Sequence, residues 1–379
     1  MAVQTDEVRD LAGFQAPEGF LVTTFYLDVN AQEFPAPEHV MKAFDSLIHT
    51  AEDRRKEIEE GLSHEAQESV RGDLARLRDW IKGWDRQDAN GVAVFSCSAL
   101  DLWEVYPTPT GFTSQVFFDP NPQLAPLAAF LSHTKPTAVL ITDKQHARIF
   151  TMKHGEVREW TDFEDFVPQR TEQGGWSQNR YQRRSDHWKQ HHIDKADELV
   201  LRLEQHYPFD WLVIGAEEQD RNQITERLHP YVKDRVIGYI NVRIDAPEAE
   251  IVEEARHVRE EAESHLIRDL IERIQEYAGA GGRGTIGLKD TLQAINEQKV
   301  HILLVQDGFQ EPGTRCPDCG MLHAGDVDTC PACGGRTEQV DNIVDAAVQK
   351  SLELGSSVEV ATELEVLEPI QCMGAVMYY

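Results

Sequence analysis

The sequence predicts an α/β protein built as three successive domains. Short apolar runs of strand type alternate with long segments whose apolar residues recur every three to four positions. A proline- and turn-rich stretch from Pro107 to Pro126 and a strongly acidic segment opening near Ala246 divide the chain into blocks. Its 379 residues, 41% of them hydrophobic, suffice for two or three cores. The expected domains are 1–125, 126–245 and 246–379.

In the first block, 20–29 reads as a buried strand, 37–85 as two helices rich in Glu, Arg and Leu, and Gly91 to Cys97 with Leu102 to Tyr106 as a strand pair. The second opens on strand patterns at Thr137 to Thr142, Ala147 to Met152 and Glu156 to Trp160. A glycine doublet then leads into roughly 30 residues of helix. Trp188, His192, Ala196, Leu199 and Leu203 set that helix's apolar stripe, so its C-terminal half is expected to pack on a sheet while its N-terminal half projects. Trp211 to Gly215 reads as a strand and Gln223 to Leu228 as a short helix. The third block begins with a charged helix, Glu248 to Tyr277, followed by a glycine-rich loop between helices and a helix near Lys289 to Glu297. Strand Val300 to Val305, a cysteine-rich insert, helix Asn342 to Leu354 and strands Ser357 to Ala361 and Ala375 to Tyr379 complete it.

The formal charge of −29 argues against nucleic acid taken as a whole, because phosphate binding rests on clustered Lys and Arg. The distribution argues otherwise. Residues 166–195 carry six basic and three acidic side chains, whereas 246–379 carry 10 basic and 25 acidic ones. One basic element thus sits in an acidic protein whose last third suits a protein partner or solvent. No run of eighteen apolar residues occurs and the first residues hold no apolar stretch, so a cytoplasmic chain without a membrane span is expected.

The basic element is Gly174-Gly175-Trp176-Ser177-Gln178-Asn179-Arg180-Tyr181-Gln182-Arg183-Arg184, with Lys189 following. Two glycines permit positive φ and close backbone approach to a ligand. Arg180, Arg183, Arg184 and Lys189 fall within three helical turns, which points to RNA. A plain loop ahead of a helix is the bland reading of the doublet alone.

Cys316-Pro-Asp-Cys319 and Cys330-Pro-Ala-Cys333 form two CxxC knuckles ten residues apart, able to bring four thiolates to one tetrahedral zinc at about 2.3 Å each. A disulfide pair and a metal-free knuckle are the competing readings. Four Cys leave no open position for water, so the zinc is expected to be structural, holding an insert at about 314–337 that lacks its own core. Cys97 and Cys372 read as inert core residues within apolar strands. The run from Gly279 to Gly287 lacks the Gly-Lys-Ser/Thr ending of a phosphate loop. His187 and His191, spaced i,i+4, lack a third metal partner, and neither HExxH nor GxSxG occurs.

The segment Gly174 to Glu198 resembles the central domain of the archaeal and eukaryotic class-1 release factors, in which a Gly-Gly-Gln-Ser loop precedes a helix with positions like Arg180, Tyr181 and Arg183. Gly287-Leu-Lys-Asp-Thr-Leu-Gln-Ala-Ile, Val300-His-Ile-Leu-Leu-Val, the cysteine knuckles and the closing Gly374-Ala-Val-Met-Tyr-Tyr resemble that family's C-terminal domain. The chain is similar to a bacterial member of this superfamily, which includes Pelota and Vms1-like proteins. The resemblance implies an N-terminal recognition domain, an RNase H-like central domain and an L7Ae-like C-terminal domain that docks a translational GTPase. It also implies a monomer acting on the ribosome, with ribosomal RNA and peptidyl-tRNA as partners. Trp176 stands where the family has its glutamine, and the nearest glutamine is Gln178, as in the variant loop of Vms1-like hydrolases. Neither an Asn-Ile-Lys-Ser tetrapeptide nor a Tyr-x-Cys-x-x-x-Phe pattern is present, so codon-specific termination is not expected.

Two functions follow from the resemblance. In the first, codon-independent peptidyl-tRNA hydrolysis rescues stalled ribosomes. Gly174 and Gly175 shape the loop, Gln178 orients water, and Arg180, Arg183, Arg184 and Lys189 hold RNA. In the second, a non-catalytic hibernation factor occupies the A site of idle ribosomes, alone or with elongation factor Tu, and Trp176 stacks on a base. A nuclease using Asp162, Glu164, Asp165 and Asp186 is the weaker third, since their spacing specifies no two-metal site.

Overall fold

The computed structural model describes residues 5–86, 89–143, 145–153, 156–164, 178–280, 282–362 and 367–378, with backbone alone at 5–6, 153, 156, 162–164, 178–189 and 280. Residues 1–133 and 267–379 form one compact unit, and 134–266 form another.

The first part of unit one runs α1 (Thr5–Ala12), β1 (Val22–Asp28), α2 (Pro37–Glu59), α3 (His64–Gly83), β2 (Gly91–Cys97), β3 (Leu102–Thr108), β4 (Gln115–Asp119) and α4 (Ala125–His133). Its antiparallel sheet has the order β3-β2-β1-β4. The period-two alternation of a strand sends Phe25 and Leu27 to one face, against Phe44, Leu47, Leu77 and Ile81 of α2 and α3. Tyr26, Ala93 and Phe95 enter a second core shared with α1, α4 and residues beyond 290. Three hydroxyls and one amide reaching Asp73 show how a buried carboxylate is tolerated here. Thr23 Oγ1, Ser96 Oγ, Ser98 Oγ and the Ser98 amide all donate to it, at 2.6–2.8 Å.

Three elements of this part, α1, β4 and α4, are absent from the sequence reading. Strand β4 lies within the stretch taken as turns, because proline on either side masks its five-residue run. Helix α4 is apolar on most of its surface and shows no amphipathic period, since it is buried. The expected domain boundary at 125 falls at the start of α4, which belongs to unit one.

Unit two holds β5 (Thr137–Thr142), β6 (His146–Lys153), β7 (Glu156–Glu164), α5 (Gln178–His206), β8 (Trp211–Gly215), α6 (Glu218–Arg227), α7 (Pro230–Lys233) and β9 (Val236–Ile240). The strand order is β7-β6-β5-β8-β9, with β5, β8 and β9 parallel and β6 and β7 antiparallel. Ile193, Ala196, Val200 and Leu203 of α5, with Ile224 of α6, cover one face. Ile251 and Ala255 of α8 (Glu248–Ala280) cover the other. Helices on both faces of a mixed sheet make this a three-layer α/β unit.

Helix α8 runs through the division between the units. After it come β10 (Gly284–Ile286), α9 (Leu288–Asn296), β11 (Val300–Gln306), β12 (Gly313–Arg315), β13 (Leu322–Ala324), β14 (Glu338–Val340), α10 (Ile343–Glu353), β15 (Ser357–Ala361) and β16 (Met373–Met377). The main sheet has the order β10-β16-β11-β15, and β13-β12-β14 form a small separate sheet. Cys97 is buried at the end of β2, as expected. Cys372 is not inside a strand: it precedes β16, is partly exposed and has φ +66°.

The glycine-rich run taken as a loop between helices instead enters strand β10, paired with β16. Gly284 is there because a Cβ would lie 2.4 Å from Ile274 O and 2.8 Å from Ala278 N, both backbone atoms of α8. Gly284→Ala is expected to cost about 1–3 kcal/mol, by overpacking against rigid backbone. Urea unfolding checks this, and an unchanged midpoint contradicts it.

Candidate metal centre and loop-helix element

The Sγ atoms of Cys316, Cys319, Cys330 and Cys333 all lie within 4.8 Å of one another, the arrangement the spacing predicts. Cys316 and Cys333 are 3.4 Å apart, and Cys319 and Cys330 are 3.6 Å apart. The two knuckles repeat one backbone design. Cys316 N donates to Met321 O at 2.8 Å and Gly320 N to Cys316 O at 2.8 Å; Cys330 N donates to Gly335 O at 2.8 Å and Gly334 N to Cys330 O at 2.9 Å. Gly320 and Gly334 have φ of +68° and +78°, so the residue after each second cysteine must turn left-handed, and glycine does this without strain. The Gly335 amide reaches Cys333 Sγ at 3.4 Å.

The donor set fits a soft metal ion in a tetrahedral site. The Cys333 amide holds the Cys330 thiol down to about 6, helped by His323 and Cys319. At Cys333 the Gly335 amide acts in the same direction, but the Cys316, Cys319 and Cys330 sulfurs push the thiol up to about 12. Four thiolates this close need a cation among them to lose their last proton. The cluster can therefore hold a metal, and its chemistry is that of a closed structural site, with one buried and one exposed cysteine from each knuckle.

Sequence reasoning missed the residues surrounding this cluster. His323 on β13, Asn296 at the end of α9 and Lys350 on α10 approach it from positions outside the CxxC pattern, and only the fold brings them together.

In unit two, α5 spans Gln178–His206. Gly174, Gly175 and Trp176 lie outside the described residues. For Gln178, Arg180, Arg183, Arg184 and Lys189 only the helical backbone is described, on which 180, 183 and 184 are spaced three and four apart. The C-terminal half of α5 packs on the sheet, as the stripe predicts. His192 is fully buried, with Nε2 at 3.3 Å from Thr142 Oγ1 at the end of β5. Asp194 accepts from Nε and Nη2 of Arg227 at 2.7–2.9 Å, and Asp197 accepts the His229 amide at 2.9 Å. His192 is fourteen residues beyond Gln178, about 21 Å along the helix axis at 1.5 Å per residue.

A cavity of about 770 Å³ opens where β5, β8 and β9 end, lined by Thr142, Asp143, His146, Glu217 and Arg243 among others. Its residues come from the ends of four strands, β5, β6, β8 and β9, so no local pattern announces it. Of the nuclease candidates, Asp162 and Glu164 fall on β7, Asp186 on α5, and Asp165 lies outside the described residues.

Residues 122–260 match the model of the bacterial archaeo-eukaryotic release factor family 10. Peptide chain release factor subunit 1 of Thermococcus kodakarensis is 22% identical over 332 residues, covering 79% of this chain and 80% of that protein. Its counterpart in Pyrococcus abyssi is 21% identical over the same shares. Among solved structures, the archaeal termination factor aRF1 aligns over 100% of this chain and 99% of its own at 14% identity and TM-score 0.28. A structure described as ribosome-bound archaeal Pelota with ABCE1 aligns over 73% and 72% at 10% identity and TM-score 0.41. Over residues 122–260 the chain is thus similar to a release-factor family, and over most of its length it is similar at 21–22% identity to archaeal release factor subunit 1. Among the described residues, no helix is long and apolar enough to cross a membrane.

Proposed function

We propose that this protein is a cytoplasmic, ribosome-associated factor that enters the A site and hydrolyses peptidyl-tRNA without reading a codon, rescuing stalled ribosomes. The observation that carries this reading is the family match over residues 122–260, which contains both the glycine loop and the basic helix. The burial of His192 against β5 supports it, because α5 is anchored on its own sheet from that residue onward.

In this reading Gly174 and Gly175 let the backbone approach the ester, and Gln178 orients the attacking water. The chemistry needs donors for the developing oxyanion and exclusion of bulk water, and requires no ionisable group from the protein. Arg180, Arg183, Arg184 and Lys189 neutralise RNA phosphates. The acidic C-terminal region meets a translational GTPase, and the cysteine cluster holds a structural zinc.

The test is single-turnover peptide release on ribosomes with an empty A site, at equal occupancy of factor. Gln178→Ala and Gly175→Ala are expected to lower the rate by about 100-fold, the scale of losing one positioned donor. Unchanged release in Gln178→Ala overturns the assignment. The indole of Trp176 favours the second reading, a hibernation factor that stacks in the A site. Saturating binding with no release in the wild type selects that reading.

A further inference from the structure

The cysteine cluster is joined to the body of unit one by two side chains that the metal reading does not itself require. Asn296, at the end of α9, grips strand β13 twice: its Nδ2 donates to Leu322 O at 2.7 Å, and its Oδ1 accepts the Leu322 amide at 3.0 Å. Lys350, in the last turn of α10, donates from Nζ to Gly320 O at 2.6 Å and to Asn296 Oδ1 at 3.1 Å. Gly320 is the left-handed residue after Cys319, and its amide is bonded to Cys316 O. One hydrogen-bonded chain therefore runs from α10 through Lys350 to the turn that fixes both cysteines of the first knuckle. The Lys350 charge also interacts with the Cys319 sulfur.

Four thiolates around a divalent ion carry a net charge of −2. Such a charge beside a protein surface is stabilised by a fixed cation and by donors that hold the ligating turn in place. Lys350 supplies both functions at one atom, and Asn296 keeps that atom aimed by accepting its second proton. Glu353, one turn further along α10, is the acidic group that acts on the same ammonium.

We infer that Lys350 and Asn296 are positioning residues of the Cys316, Cys319, Cys330 and Cys333 centre, setting how tightly it retains its metal and making the insert one body with α9 and α10. The inference rests on the structural-zinc reading, so the experiment separates the two. Zinc content of the purified full-length wild type is measured first. Less than a stoichiometric zinc, not restored by added zinc, defeats the metal reading and the clamp with it.

Given zinc, its release to a chromogenic chelator is timed for the wild type, Lys350→Met, Lys350→Arg and Asn296→Ala, with far-UV circular dichroism as the folding control. Release is expected to be about 10-fold or more faster in Lys350→Met and in Asn296→Ala, the scale of lost outer contacts to metal ligands. Lys350→Arg keeps the charge and should recover much of the retention. Release within twofold of wild type in a folded Lys350→Met overturns the clamp. Should Lys350→Met not fold, Asn296→Ala decides alone by the same twofold limit.

Discussion

A strong chelator that strips the proposed metal from the cysteine cluster is expected to unfold the insert at about 314–337 and to leave the rest of unit one intact. Between those residues Leu322 is the one buried aliphatic side chain. Burying a single leucine contributes about 2–3 kcal/mol. That burial is small beside the entropy lost in ordering the segment's backbone. The three short strands cannot close that gap, because each is three residues long and β12 alone bridges the other two. Metal binding at an all-cysteine site supplies on the order of 10 kcal/mol at neutral pH, several times the burial of that leucine.

Hydrogen exchange reads the result directly. Amides of Cys316, Gly320, Cys330 and Gly334, each bonded within a knuckle, should lose protection on chelation. Amides of β11 and β16 should keep theirs. Cys316→Ser should behave as the chelated protein does at any zinc concentration. Persistent protection in the knuckles after complete metal removal contradicts a structural metal and leaves the insert held by packing alone.

The positions of several strands and the cysteine cluster are legible in the sequence for different physical reasons. Strands β1, β2, β5 and β8 are buried on both faces, and their continuous apolar runs identify them. The CxxC-Gly pattern is legible because a left-handed turn and a soft ligand both demand specific residue types at fixed spacing. Strand β4 and helix α4 were not legible: one is short and flanked by proline, and the other lacks a polar face. The shared core between the first and last parts of the chain was hidden too. It depends on residues such as Ala125 and Asp345, 220 positions apart, whose meeting no periodicity encodes.

That meeting gives the second large effect: unit one loses stability as pH rises from 5 to 8, and Asp345→Asn removes much of the loss. Asp345 lies near the start of α10 and is 2% exposed. Its Oδ1 accepts the Ala125 amide at 2.8 Å, capping helix α4 from a distant segment. Its Oδ2 is buried without a hydrogen-bond partner among the described residues. Burial pushes this carboxyl up to about 7; the Ala125 amide opposes the shift and the Asp119 charge on β4 adds to it. Asp119 is itself held above the usual range by burial, although Arg315 of β12, 3.8 Å away, draws it down. Tyr26 of β1 faces the same site, its hydroxyl donating to Gln123 O at 2.7 Å.

Because the folded carboxyl binds its proton more tightly than the unfolded one, its contribution is complete below about pH 4 and is lost as pH rises to about 7. From pH 5 upward that loss is about 2–3 kcal/mol, at 1.36 kcal/mol for each unit between 5 and the folded value. An asparagine keeps the acceptor for Ala125 and cannot ionise. It should therefore match the wild type to within about 1 kcal/mol at pH 5 and exceed it at pH 8. Urea midpoints of the two proteins at half-unit steps of pH provide the comparison. Parallel curves would assign the pH dependence to other groups, with Asp119 the next to replace, and would leave Asp345 as a helix cap alone.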